Sequence, residues 1–243
     1  MCFSERKISN LINFMSIKFS LLTLFPDMFP GSLGQSLSGK ALEKNLWSYQ
    51  TINLRDHAGN KHNTVDDTPY GGGAGMVIRP DVVEGALLEA GESDYKPIYL
   101  SPRGTPLTQK KVQELSKKEH LILLCGRYEG VDQRALDAHD FEEISIGDYV
   151  LSGGEPAALI LMDACIRLLP GVMGNDETAG EESFSNGLLE YPHYTRPAEW
   201  TDANGGQHNV PEILTSGDHA KIKEWRQIKS LALTKARRPD LLD

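Results

Sequence analysis

Three loops hold the residues most able to do chemistry in this chain. They read Tyr99-Leu-Ser-Pro-Arg-Gly104, Cys125-Gly-Arg-Tyr-Glu-Gly130 and Ser145-Ile-Gly-Asp-Tyr-Val-Leu-Ser-Gly-Gly154, and each follows an apolar run. Glycine lets main chain approach a ligand closely because it has no Cβ. In open α/β sheets, ligands sit just beyond the carboxyl ends of the strands. Three such loops between residues 99 and 154 therefore predict one small-molecule pocket lined mostly by backbone. Other charged residues have blander readings when taken alone. Asp176, Glu177, Glu181 and Glu182 lie among Gly, Ser and Asn and read as a solvated loop. Arg167 reads as a salt-bridged arginine near a helix end, and the basic run from Lys221 to Arg238 as a solvated helix face.

Several chemistries lack their signatures. There is no G-x-x-x-x-G-K-[ST] phosphate loop and no G-x-S-x-G nucleophile elbow. Tyr70-Gly-Gly-Gly-Ala-Gly-Met76 does not fit G-x-G-x-x-G, which disfavours dinucleotide binding. Taken alone, it reads as a flexible loop. The 7 histidines have no metal-ligand spacing, so no metal site is expected. The 3 cysteines, Cys2, Cys125 and Cys165, form no C-x-x-C pair, and they read as the reduced thiols of a cytoplasmic protein. Cys125 and Cys165 sit in apolar surroundings and are expected to be buried. No apolar stretch is long enough to cross a bilayer.

The elements that must position the loops follow from periodicity and punctuation. Strands are expected at Phe19–Phe25, Gln50–Leu54, Pro97–Ser101, Leu121–Cys125 and Glu142–Ile146. Helices are expected at Ser38–Trp47, Pro80–Ala90, Thr108–Lys117, Val131–His139 and Glu155–Leu169. This alternation predicts an α/β fold with a parallel sheet. Arg55–Gly75 is polar and rich in turn residues, and a stretch of that kind points to function or disorder. Residues 1–14 read as an extension ahead of the fold, with Met15 as an alternative start. The cofactor-scale domain is then 15–173, followed by a mobile linker at 174–188 and a separate C-terminal unit at 189–243. The last helix of that unit runs from about Asp218 to Arg238, where Pro239 ends it. The formal net charge of −9 argues against a nucleic-acid partner for the chain as a whole. The C-terminal basic run is the local exception.

Five motifs, in order, carry a resemblance. They are Thr64-Val-Asp-Asp67, Pro69-Tyr-Gly-Gly-Gly73, Leu124-Cys-Gly-Arg-Tyr-Glu-Gly130, Ser145 to Glu155 and Pro192-His-Tyr-Thr-Arg-Pro197. From about Ser16 to its end, the chain resembles the bacterial tRNA (guanine-N1)-methyltransferases of the SPOUT superfamily. The resemblance implies a parallel sheet with a deep trefoil knot at the three loops, plus a small, mainly helical C-terminal domain. It also implies a cytoplasmic homodimer with each active site at the subunit interface, and neither a membrane nor DNA as partner. The implied cofactor is S-adenosylmethionine, held by Tyr99, Leu100, Ser101, Pro102, Gly126, Tyr128, Ile146, Gly147, Tyr149, Leu151, Gly153 and Gly154. Glu129 is the candidate for its methionine end or for Mg²⁺, a further requirement often associated with the family.

The implied reaction methylates N1 of the guanine immediately 3′ of the anticodon, tRNA position 37, which maintains the reading frame. Such a reaction needs a carboxylate to take the N1 proton and a cation near O6, where charge builds. The resemblance places these at Glu182 and Arg167. The family pattern has Asp where Glu182 stands, so the carboxylate here is one methylene longer; Glu181 and Asp176 are alternative bases. Thr68 stands where a basic residue is common, and Pro156 replaces an apolar residue at a helix start that tolerates proline. His219, Lys221, Lys223 and Arg226 are the implied contacts to the anticodon stem-loop. Two other readings remain open: another SPOUT RNA methyltransferase, acting on ribosomal RNA or a ribose hydroxyl, and a non-catalytic RNA-binding relative.

Overall fold

A computed structural model describes residues 16–59, 64–173, 183–184 and 187–242. The chain divides into two compact units, Met1–Gly174 and Asn175–Asp243.

The first unit is built on five strands: β1 (Ile17–Thr23), β2 (Trp47–Asn53), β5 (Ile98–Pro106), β6 (His120–Cys125) and β7 (Glu142–Ser145). They pair in the order β2-β1-β6-β5-β7, and every pairing is parallel. Parallel strands covered on both faces read as continuous apolar runs, and Leu121 to Cys125 is one, buried throughout. Alternation of side chains sends neighbours to opposite faces. Phe19, Leu21, Leu121 and Leu123 join one core cluster, while Leu22, Ile52, Ile122 and Leu124 join the other. Helices α1 (Ser36–Glu43), α3 (Gln109–Leu115) and α5 (Glu155–Ile166) cover the first face; α2 (Pro80–Ala90) and α4 (Gln133–Ala138) cover the second.

Local chemistry sets these helix ends. Pro80 opens α2, and Gly91, at φ +80°, stops it. The Thr108 side chain caps α3 by accepting from the Lys111 N–H at 3.2 Å, and Asp132 caps α4.

Several boundaries differ from expectation. The first strand starts two residues earlier and stops at Thr23, because Pro26 opens a tight turn over Pro26–Met28. The first helix ends at Glu43 rather than Trp47. Asn45 turns the chain at φ 56°, and Trp47 opens β2, fully buried against Phe19. The 55–75 segment is partly structured: a tight turn at Leu54–His57 precedes β3 (Asp66–Asp67), which pairs antiparallel with β4 (Val77–Ile78). Ile78 also bridges to Val131 and donates to the Gly130 carbonyl at 2.9 Å. That excursion therefore ends beside the loop after β6.

In the second unit, α7 (His219–Arg237) is the long helix expected, preceded by the short α6 (Glu212–Thr215). The unit also holds a hairpin the sequence reading did not foresee, β8 (Glu199–Thr201) against β9 (Gln207–Asn209). Asp202-Ala-Asn-Gly-Gly206 joins the strands. The Asp202 carboxylate accepts the N–H groups of Asn204 and Gly206 at 2.8 and 3.0 Å. The Asn-Gly pair was the available signal.

Candidate functional site

The carboxyl ends of β5, β6 and β7 bring the three loops to one edge of the sheet. Together they line a cavity of about 330 Å³. All thirteen residues proposed from sequence for the cofactor lie on it: Tyr99, Leu100, Ser101, Pro102, Gly126, Tyr128, Glu129, Ile146, Gly147, Tyr149, Leu151, Gly153 and Gly154. Continuous apolar strands place these loops, and a break within β5 shapes the first of them. Leu100 and Thr105 both pair with Ile144, so residues 101–104 bulge out of the ladder toward the cavity.

The loops hold one another. The Gly154 N–H donates to the Gly126 carbonyl at 2.9 Å. A Cβ on Gly154 would lie 2.8 Å from the Cys125 Cα, so only glycine allows that backbone-on-backbone approach. Ser145 fixes the next turn, its Oγ accepting from the Gly147 N–H at 3.2 Å. Tyr128 sits at φ 59°, a conformation costly for a side chain of its size. Strain of this kind collects where surrounding structure over-determines a site.

Few charged side chains face the cavity, and two of them are engaged. The Arg127 Nε donates to Glu155 Oε2 at 2.9 Å, and its Nη1 to the Ser152 carbonyl at 3.1 Å. Glu155 is wholly buried, and its Oε1 accepts from the Thr23 hydroxyl at 2.7 Å. This buried network ties the loop after β6 to the start of α5 and to the end of β1. Arg103 reaches Glu143 at 3.1 Å and Gln133 at 3.2 Å. Burial raises the Tyr99 hydroxyl pKa; Arg103 pulls it down and Glu143 pushes it up. Glu129 stands at the rim. Its N–H donates to the Met76 carbonyl at 3.0 Å, and a Cβ on Gly75 would overlap its side chain. Gly75, at the end of the glycine-rich run, thus abuts the site, although the run reads in sequence as a plain flexible loop. Arg127 and Glu155 were also missed as a pair. The only signal was an arginine and a glutamate inside two of the glycine motifs.

Arg167 is elsewhere. It closes α5 and lines a second cavity of about 660 Å³ with Asp163, Gln109 and Ser36. Glu182, Glu181 and Asp176 lie outside the described residues. In the second unit, His219, Lys223 and Arg226 border a cavity of about 500 Å³. Lys221 does not, and its ammonium lies 3.1 Å from the Asp218 carboxylate that caps α7. Cys125 and Cys165 are buried thiols. Burial pushes Cys165 up to about 12 and raises Cys125 well above its ordinary value. Among the described residues, no group of three or more His, Cys, Asp or Glu could hold a metal ion. Among the described residues, no helix is long and apolar enough to cross a membrane.

A family model described as tRNA (Guanine-1)-methyltransferase TrmD matches residues 17–243. The chain belongs to this family. Its relatives include the tRNA (guanine-N(1)-)-methyltransferase of Rhizobium johnstonii, 56% identical over 230 residues that cover 94% of this chain and 92% of the relative. The protein of that name from Rhodospirillum rubrum is 57% identical over 227 residues, 93% of either chain. That of Wolbachia pipientis from Culex pipiens is 52% identical over 233 residues, covering 94% and 98%. The family match spans both units, the loop cavity of the first and α7 of the second.

Proposed function

We propose that this chain methylates N1 of the guanine immediately 3′ of the anticodon in tRNA, using S-adenosylmethionine. The observation that carries the reading is the loop cavity, seen in a chain that matches the TrmD family almost end to end. The cavity suits the cofactor. A Cβ on Gly126, Gly153 or Gly154 would strike the Tyr99 ring, the Arg127 side chain or the Cys125 backbone, so these glycines let the loops close together around the space, and Leu100, Ile146 and Leu151 offer apolar wall to an adenine. Tyr99, Ser101 and Pro102 border the same space, as do Tyr128, Gly147 and Tyr149. Glu129 is assigned to the cationic methionine end. For Mg²⁺ the described residues offer no ligand cluster, and no step is assigned to it.

When bound, the cofactor supplies an electrophilic methyl carbon. The chain's own task is to hold the guanine in line with it and to manage one proton and one charge. Glu182 would take the N1 proton of the guanine. Arg167 stabilises the charge that builds on O6. Arg167 lines the second cavity and is not among the residues that line the loop cavity. A homodimer that seats the second cavity of one protomer against the loop cavity of its partner supplies the missing side chain.

A trefoil knot is the topology we assign to the loop region. Its support is the path of α5, which follows edge strand β7 yet packs on central strands β6 and β1. His219, Lys221, Lys223 and Arg226 are assigned to the RNA, and the enzyme to the cytoplasm.

The test uses labelled cofactor and two tRNA transcripts, identical except for guanine or adenine 3′ of the anticodon. Transfer to the guanine transcript alone, yielding a base product, is expected. A ribose product would move the chain to another SPOUT activity. Cofactor binding without turnover on either transcript would overturn the assignment.

A further inference from the structure

The cavity of the second unit has a composition that the chain as a whole does not predict. The sequence carries 34 acidic against 25 basic residues, yet no carboxylate is among the described residues lining this space of about 500 Å³. Its walls alternate rings and cations. Tyr194, a residue 48% exposed, meets Trp225 edge-on, with ring centroids 6.2 Å apart. The Arg226 guanidinium lies over the Tyr191 ring at 4.8 Å. His219 and Lys223 stand four residues apart on α7, both exposed and on one side of the helix.

We propose that this cavity is a second nucleotide subsite, taking one unpaired tRNA nucleotide other than the guanine that is methylated. The inference rests on the reading that the chain acts on tRNA. Single-stranded bases are read by stacking on aromatic rings and guanidinium planes. Aromatic platforms flanked by cations are the common means of holding them. Here Tyr194 and Trp225 present ring surface to a base, and the Arg226–Tyr191 pair forms a second flat wall. Lys223 and His219, at the mouth, are placed to meet its phosphate. The pocket volume falls within the range of small-ligand sites, roughly 300–1,000 Å³.

Two variants of the full-length protein separate the base from the phosphate. Binding to a tRNA transcript is titrated between about 50 and 200 mM salt. Tyr194→Ala is expected to bind roughly tenfold more weakly with an unchanged salt slope, because stacking is not ionic. Tyr194→Phe keeps the ring and should bind like the parent. Lys223→Gln should flatten the slope by about one, the signature of a lost phosphate contact. Far-UV circular dichroism and thermal unfolding that match the parent confirm that the second unit is folded in all three, and cofactor affinity, read in the other unit, stays constant. The proposal is overturned if the wild type binds tRNA and Tyr194→Ala binds within twofold of it, or if Tyr194→Ala changes the slope as Lys223→Gln does. A wild type that binds no tRNA would sink the functional reading itself, and this subsite with it.

Discussion

The loop cavity of the first unit and the α7 cavity of the second are made of different materials. The loop cavity is built from main chain: glycines in close contact, one strained tyrosine, and charged groups already committed to one another. The α7 cavity is built from side chains: His219, Lys223, Trp225 and Arg226 stand on α7, and Tyr191 and Tyr194 come from the segment before β8. A site of the first kind is specified by what is absent, since a single Cβ would collide with a neighbouring loop. A site of the second kind is specified by what is present, and each side chain contributes its own share. Substitutions should therefore fail abruptly in the first and in graded steps in the second.

The strongest test of that contrast is Glu155→Ala. Glu155 is fully buried, and its loss strands Arg127, whose side chain is 18% exposed. Breaking a buried pair by removing one partner costs about 3–5 kcal/mol. The low end applies because Arg127 retains some access to water. Urea unfolding should show this loss together with weaker cofactor binding. A loss under about 1 kcal/mol would mean the network is not what ties the loops together. Next in size is Gly154→Ala. The added methyl meets backbone rather than a movable side chain, and overpacking of this sort costs about 1–3 kcal/mol. Calorimetry should find cofactor affinity reduced far more than thermal stability. Unchanged affinity would refute the claim that this loop contact shapes the pocket.

The same contrast explains what was legible in the sequence. Strands such as Leu121–Cys125 announce themselves because burial on both faces leaves only apolar letters. The loop cavity was legible because glycine motifs after such strands have one common use. Trp47 misled, since an aromatic at the end of an amphipathic run reads as helix until Asn45 is seen to turn the chain. The β8–β9 hairpin was missed because its strands, Glu-Trp-Thr and Gln-His-Asn, are short and exposed and lack the apolar alternation that marks a strand. The Arg127–Glu155 pair could not be read, because nothing in two motifs 28 residues apart says that they close on each other. Tyr191, Tyr194 and Trp225 were in plain view, but their convergence depends on the fold of the second unit.

A smaller effect sharpens the comparison by pH. Titrating groups held above their ordinary values by burial and partners cluster in the sheet unit. Tyr95 is raised from 10.0 to about 12, chiefly by burial; a hydrogen bond from Lys111 opposes this, and one to Glu142 reinforces it. For Lys111, burial lowers the pKa, but hydrogen bonds to Tyr95, Glu142 and Glu114 outweigh it and hold the ammonium above its ordinary range. In the second unit Asp202 and Asp218 are held low, the first mainly by His208 and the second by the backbone N–H of Lys221, as Asp132 and Glu114 are in the sheet unit by Arg134 and Lys111. A group whose folded pKa is raised lends stability below its unfolded pKa and loses it as pH climbs through the folded one. A depressed carboxylate does the reverse and loses its contribution as pH falls. The sheet unit should therefore lose Tm between pH 10 and about 12. Tyr95→Phe should flatten that decline, having no proton to lose. The carboxylates of the second unit remain charged throughout that window, so their contribution should hold steady until the solution is acidic. Calorimetric scans of wild type and Tyr95→Phe across the alkaline range decide the point. Parallel declines would show that the Tyr95 hydroxyl, for all its partners, is not what makes the sheet unit sensitive to base.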